Sequence, residues 1–290
     1  MKKKKKRISL FSLINGFVML LLMAIVLFPM LNVLATSLSN ALVADQAIIF
    51  PKRFTLDSYK YLLQNKSFWV AMGVSVKRCI VAVVFRLVLA FFPAYSLSRP
   101  RGTFHFRGFY AWYFFITTIF GGGVVPWYVM IAKVGLIDSF WALILPGAVA
   151  AGDIILIMNF FKTVPRDFEE AARVDGATEM QILFRIYVPL SKAVVATVSL
   201  FTVVGHWNGW FDGMVLMNTP SKLPLQSYLQ SIVITVPKMG GADAFAKYGA
   251  INQKTTNAAM IFVAMIPILS VYPFMQKYFA KGIIVGGVKG

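Results

Sequence analysis

Residues 162–192 read KTVPRDFEEAARVDGATEMQILFRIYVPLSK, a polar passage between two strongly apolar blocks that holds all three glutamates of the chain. Asp167 and Glu170, just after Pro165, have the D-x-x-E spacing of a capping box. They predict a helix whose small, smooth face carries Phe168, Ala171 and Ala172 at i, i+3 and i+4. Gly176 ends that helix, because glycine adopts the left-handed C-terminal conformation without steric cost. Thr178 and Gln181 repeat the cap signature, and Met180, Leu183, Phe184 and Tyr187 make an apolar stripe that stops at Pro189. The passage therefore predicts a bent pair of short helices with acidic and small residues at its tip. On spacing alone it reads equally as a helical hairpin lying on a membrane surface.

The surroundings of this passage are apolar. With 290 residues, 58% hydrophobic and 14% charged, the chain is too apolar for an ordinary soluble domain and has no polar block long enough to fold separately. It reads as one membrane domain over 1–290, with a core at about 68–279. A net charge of +18 would suggest nucleic acid in a soluble protein. Here the cations are read by position, since Lys and Arg are retained on the inner side of membrane proteins, and no nucleic-acid partner is expected. The single Cys79 lies in an apolar block and has no partner for an internal disulfide.

Six spans are predicted. The basic run MKKKKKR precedes a first span at about 10–35, long enough to cross ~30 Å of hydrocarbon at ~1.5 Å per residue. The lysines anchor that helix inside and touch acidic lipid. An outer loop, 37–66, carries Phe54, Tyr59, Tyr61 and Leu62 in a short interfacial helix. The second span, about 68–98, stops at Pro100 and Gly102. The third, about 109–131, contains Gly121, Gly122, Gly123 and Pro126 and reads as broken or closely packed. The fourth, about 140–161, is kinked near Pro146 and Gly147. The fifth covers about 193–217, residues 218–254 form an outer loop, and the sixth covers about 256–277. Segments assigned inside hold 17 of the 29 Lys and Arg, so both termini and the 162–192 loop are expected in the cytoplasm.

Several chemistries have no support in the sequence. It contains no G-x-x-x-x-G-K-[ST] phosphate loop, so the chain is expected to be a non-catalytic subunit whose energy comes from elsewhere. His105 and His206 fall on opposite sides of the bundle, and no cluster has metal-ligand spacing, so no cofactor or metal is expected. Ser75 and Ser199 read as helix-packing hydroxyls.

The run Glu170-Ala171-Ala172, with Gly176, Ile186 and Pro189 following at fixed intervals, resembles the EAA loop of ABC importer permeases. EEAARVDGA (169–177) followed by IYVPL (186–190) is similar to the carbohydrate-uptake branch, to which the second permease of the maltose importer belongs. AYSLSR (94–99) and the terminal VKG resemble the same family. The resemblance implies an all-α, polytopic type I importer fold with six transmembrane helices and the coupling loop between helices 4 and 5. It implies a bacterial cell-membrane protein moving a sugar or oligosaccharide. The implied partners are a homologous second permease in a heterodimer, two ATP-binding subunits and an extracytoplasmic solute-binding protein. Glu169, Glu170, Ala171, Ala172, Asp175 and Gly176 would then dock the ATPase, with the carboxylates pairing basic groups on it. HWNGWFDG supplies Trp207 and Asn208, which resemble a family W-N pair, and these with Trp210 are candidates for the translocation pathway. A permease for amino acids, polyamines or phosphate would share the loop. A self-sufficient secondary carrier is disfavoured by six spans without a visible internal repeat.

Lys77, Arg78 and Arg86 lie inside the second span, where each charge costs ~2.5 to 3.5 kcal/mol on insertion scales unless it pairs, faces a cavity or snorkels. At ~1.5 Å per residue, Lys77 sits ~14 Å and Asp153 ~20 Å from the outer ends of their helices, within reach of one another. Three readings stay open: internal pairs with Asp153 or Asp212, a vestibule in which Lys77 and Arg78 select an anionic sugar, and snorkelling to the surface.

Overall fold

The computed structural model describes residues 10–100, 102, 104–235 and 252–286. The basic run at 2–7, residues 236–251 of the expected outer loop and the terminal VKG lie outside the described residues. The chain divides into two compact units, one of residues 1–66 and 233–265, the other of 67–232 and 266–290.

The first unit is built on α1 (Leu10–Ser37) and α2 (Asp57–Gln64). Helix α1 is apolar all round and buries only its last three residues, Ala35, Thr36 and Ser37, so its length is left for lipid or a partner. Its C-terminal end is tied down by polar contacts: Asn32 Nδ2 donates to the carbonyls of Ala47 (3.0 Å) and Ile48 (2.9 Å), and Ser37 Oγ lies 2.7 Å from Tyr59 Oη.

The second unit starts with α3 (Lys66–Ser98), whose buried positions Ala71, Ser75, Arg78, Cys79 and Ala82 follow helical spacing. The small ones among them, Ala71, Ser75, Cys79 and Ala82, let neighbours approach closely. Ser75 Oγ accepts from the Leu225 amide at 2.7 Å, and Ser199 Oγ donates to the Val195 carbonyl at 2.7 Å, as expected of packing hydroxyls.

Helices α4 (Arg107–Ile119) and α5 (Val124–Lys133) meet at 115° across the triple glycine, so the third span is broken. Two 3-10 turns (Phe140–Leu143 and Leu145–Gly147) meet α6 (Ala151–Phe161) at 51°. After α7 (Asp167–Val174) come α8 (Glu179–Ile182), a π-helical turn (Leu183–Tyr187), α9 (Val188–Leu190) and α10 (Lys192–Asn208). The fifth span ends earlier than expected: Gly209 and Trp210 separate α10 from α11 (Phe211–Leu216).

The outer loop expected from 218 onward holds a helix, α12 (Leu225–Thr235). Its Ser and Gln content hid it, while Leu225 and Ser227 are fully buried. The last helix is α13 (Gln253–Gly286). Among the described residues three helices are long and apolar enough to cross a membrane, and up to six spans result when each bent pair counts as one.

A buried cluster joins α3 (Ala90, Phe91, Ala94) to α6 (Ile154, Ile157, Phe161), to Ile182 and Leu183, and to Val194 and Val198 of α10. It lies at the C-terminal ends of α3 and α6, directly under the α7–α8 passage, so the polar loop rests on packed side chains.

Candidate functional site: a docking helix and an inner cavity

Helix α7 starts at Asp167 with Arg166 as its cap residue, and no side chain caps it. The expected Asp167–Glu170 box does not form, because Asp167 is the first helical residue and Glu170 falls one position too late for reciprocal bonding. Asp167, Glu169 and Glu170 still place three carboxylates in the first turn, where the helix dipole favours negative charge. The C-terminal end is as expected. Gly176 has φ +79°; the Ala177 amide donates to the Ala172 carbonyl (2.9 Å) and the Gly176 amide to that of Arg173 (3.1 Å), a Schellman closure. The Thr178–Gln181 capping box of α8 is present.

The faces of α7 differ from the expected ones. Ala172 turns inward and packs against the buried cluster. The outward apolar face is Phe168, Ala171 and Val174, and Val174 is 88% exposed. Glu170 and Asp175 are exposed beside it.

Glu169, expected to reach a partner, is used inside the chain. Its side chain is 12% exposed and pairs with Arg99 Nη1 and with Arg173 Nε at 3.1 Å, while Tyr187 Oη donates to it at 2.8 Å. Arg99, 9% exposed, also pairs with Glu179 through Nη2 at 2.8 Å and stacks over the Tyr95 ring with its guanidinium carbon 4.3 Å from the centroid. Tyr95 Oη donates to Glu179 at 2.6 Å, and Arg173 pairs with the other Glu179 oxygen. Two arginines and two glutamates thus bind the end of α3 to α7 and α8.

Partial burial works against the charge of Glu179, but the bond from Tyr95 and the positive Arg99 and Arg173 outweigh it and hold the carboxyl below its usual range. The sign follows: a depressed carboxyl contributes stability at neutral pH, lost only as pH falls through the folded value.

The second feature is a cavity of about 820 Å³ lined by Arg78, Arg86, His206, Asp212, aromatic Trp127, Trp210 and Phe211, and glycines of four segments. Arg78 is 3% exposed. It donates through Nε to His206 Nδ1 (3.1 Å), through Nη1 to the Gly209 carbonyl (3.2 Å), and pairs with Asp212. Acceptance at Nδ1 requires a neutral imidazole at His206 with its proton on Nε2. A Cβ at Gly209 would stand 3.3 Å from Arg78 Nη2, so glycine makes room for the guanidinium. Arg86 Nε lies 2.9 Å from Asp153 Oδ2, an ion pair in which neither atom makes an aligned hydrogen bond.

Of the sequence candidates, Arg78, Asn208 and Trp210 line this cavity. Trp207 is 4% exposed and belongs to the packed interior. Lys77 is also outside the lining, and the Lys77–Asp153 pair does not form. Lys77 instead points outward on α3 with Nζ 4.6 Å over the Phe140 ring, and Asp153 takes Arg86. Sequence reasoning flagged Arg86 as a cation needing a partner or a cavity without giving it a site role, and it missed Arg99 and His206. Their partners stand far away in the chain: 128 positions separate Arg78 from His206. The available signal was a cation inside an apolar span.

A second clamp lies at the other end. Asp138 accepts from the Asn218 and Thr219 amides (both 3.0 Å) and pairs with Lys222 Nζ at 2.6 Å. The hydrogen bonds from Lys222 and Thr219 hold its carboxyl far below the usual range.

No protein-family model matches the chain. It is 38% identical over 271 residues to Protein LplC of Bacillus subtilis, covering 92% of this chain and 90% of that one. It is 36% identical over 285 residues to the polygalacturonan/rhamnogalacturonan transport system permease protein YtcP of the same organism, covering 96% and 97%. Among solved structures it superposes with TM-score 0.88 at 29% identity, over 96% of this chain and 100% of the other, on a chain of a bacterial ABC transporter involved in the import of the acidic polysaccharide alginate.

Proposed function

The chain belongs to the ABC importer permeases of carbohydrate uptake, and from that membership we propose that its cargo is an acidic oligosaccharide, which passes the Arg78–Asp212 cavity. It is a transport subunit; ATP is hydrolysed on partner subunits, and a solute-binding protein delivers the cargo. Two similar proteins are named for the transport of polysaccharides, polygalacturonan/rhamnogalacturonan in one case and the acidic polysaccharide alginate in the other. The observation that carries the reading to this chain is the cavity lining, in which two arginines, Arg78 paired with Asp212 and Arg86 paired with Asp153, face the open space. A uronate carboxylate competes with Asp212 for the Arg78 fork, which suits a planar two-oxygen acceptor. Trp127, Trp210 and Phe211 offer flat apolar faces to sugar rings, and Asn208 offers an amide.

The coupling reading has Phe168, Ala171 and Val174 seated against an ATP-binding subunit on the cytoplasmic side, with the exposed Glu170 and Asp175 meeting its cations. Gly176 shapes the end of the docking helix, and Ala172 and Glu169 hold it to the bundle. When ATP closes the partner dimer, α7 moves as a rigid body and the Arg99 network carries the movement into α3. That helix bears Arg86 and Arg78 about 20 and 32 Å further along at ~1.5 Å per residue, so one element joins the docking surface to the cavity. A homologous second permease completes the pathway as a heterodimer.

The test is uptake by cells carrying the whole importer. The double substitution Arg78→Gln, Asp212→Asn removes the guanidinium without stranding a charge. Uptake of an oligogalacturonide is expected to fall at least about tenfold, the loss of one charge-assisted contact, with uptake of a neutral oligosaccharide and the amount of assembled importer unchanged. Equal uptake of both sugars before and after the change would overturn the acidic cargo.

A further inference from the structure

A second cleft, of about 550 Å³, opens where the C-terminal ends of α3 and α6 meet the starts of α4 and α7. Its lining carries five cations and two carboxylates. Arg99 and Arg173 are already discharged by Glu169 and Glu179. What remains is Arg107, Lys162 and Arg166 facing one exposed carboxylate, Glu170, so the cleft holds a surplus of two positive charges. Arg107 spends its Nε on the Leu97 carbonyl at 2.9 Å, which fixes the guanidinium and leaves its Nη groups. Lys162 and Arg166 have no ion partner among the described residues. Partial burial and the neighbouring Arg107 both push the Lys162 ammonium below its usual range, as befits cations crowded without a counter-charge.

An apolar surface adjoins this cleft. Arg107 is the first residue of α4, and α4 has no buried residue at all. Phe109 (67%), Trp112 (64%) and Ile116 (47%) are open along its length. A cationic cleft continuous with a bare aromatic helix, at the level where three spans end, suits a molecule with an anionic head and an apolar tail.

We propose that this cleft binds the phosphodiester headgroup of an anionic membrane lipid, with the non-bridging oxygens held by Arg107, Lys162 and Arg166 and an acyl chain lying along α4. Arg supplies paired donors to phosphate oxygens and Lys a mobile point charge, and basic recesses between spans on the cytoplasmic side take such headgroups. The cleft borders α7, so an occupied headgroup neutralises the cations beside the docking helix. The proposal rests on the cytoplasmic placement of this end given above, which labelling of exposed cysteines tests independently.

The experiment uses the assembled importer in detergent, incubated with phosphatidylglycerol or phosphatidylcholine and read by native mass spectrometry, alongside ATPase activity in nanodiscs of the same lipids. The wild-type complex is expected to retain phosphatidylglycerol through detergent washing and not phosphatidylcholine. Lys162→Gln with Arg166→Gln is expected to weaken that retention at least about tenfold and to blunt the lipid dependence of ATPase activity. Lys162→Gln alone, the milder change, is expected to lie between. Equal retention in wild type and variants, or equal retention of the two lipids, would overturn the site. Displacement of the lipid by millimolar inorganic phosphate would overturn the lipid assignment in favour of a free anion. A zero-length carbodiimide crosslink from Lys162 to a carboxylate of an ATP-binding subunit would overturn it in favour of a protein contact.

Discussion

Arg86 and Asp153 meet in a span with side chains 24% and 15% exposed, and that pairing reassigns the role of each cation on α3. Removing one partner of a buried pair leaves the other charged without compensation, a loss of about 3–5 kcal/mol. Asp153→Asn is therefore expected to lower the unfolding temperature of the purified complex sharply. Arg86→Met with Asp153→Asn is expected to recover most of that loss, because no stranded charge is left. Lys77→Met is expected to be nearly neutral, since Lys77 is exposed and gives up only a cation–π contact of about 0.5–1 kcal/mol. A melting temperature for Lys77→Met as low as that of Asp153→Asn would show that the pairing lies with Lys77 after all.

Helix α7 is short enough that its position depends on what holds it, and its two sides meet different surroundings. The inward side carries Ala172 on the buried cluster and Glu169 in the Arg99 network. The outward side carries Phe168, Ala171 and Val174. Val174 is 88% exposed, so the stability of Val174→Asp is expected to stay within about 0.5 kcal/mol of the parent, while co-purifying ATP-binding subunit is lost. Glu169→Gln is expected to do the reverse: it leaves the outward face intact, leaves Arg99 one counter-charge short, lowers stability, and retains the ATPase with weakened transport. Quantifying bound ATPase against melting temperature for both variants separates the two sides. Val174→Asp complexes with undiminished ATPase would remove α7 from the docking surface.

For the molecule as a whole, the distribution of cations predicts six spans with both ends of the chain inside, and the exposed residues supply a direct check. In a Cys79→Ala background, Val174→Cys and Ser221→Cys are both on open surface. An impermeant maleimide added to intact cells is expected to label position 221 and to label position 174 only after the membrane is opened. Labelling of 174 from outside would invert the topology.

The elements legible in the sequence were those set by short-range physics. Apolar length and cation placement gave the spans, Gly176 marked the left-handed end of α7 because only its φ of +79° is cheap for glycine, and Thr178 with Gln181 marked the cap of α8. The EEAARVDGA run carried the family. What the sequence could not supply was which distant groups meet. Helical period alone left Lys77, Arg78 and Arg86 as three equal cations, because neighbouring positions on a helix differ by about 100° in direction and nothing local says which direction is interior. The packing of α3 against α6 and α10 decided it, giving Asp153 to Arg86, Asp212 to Arg78 and the exterior to Lys77. The same packing drew Glu169 inward to Arg99, turning a residue expected on the docking surface into a tie that holds α7 to the helical bundle.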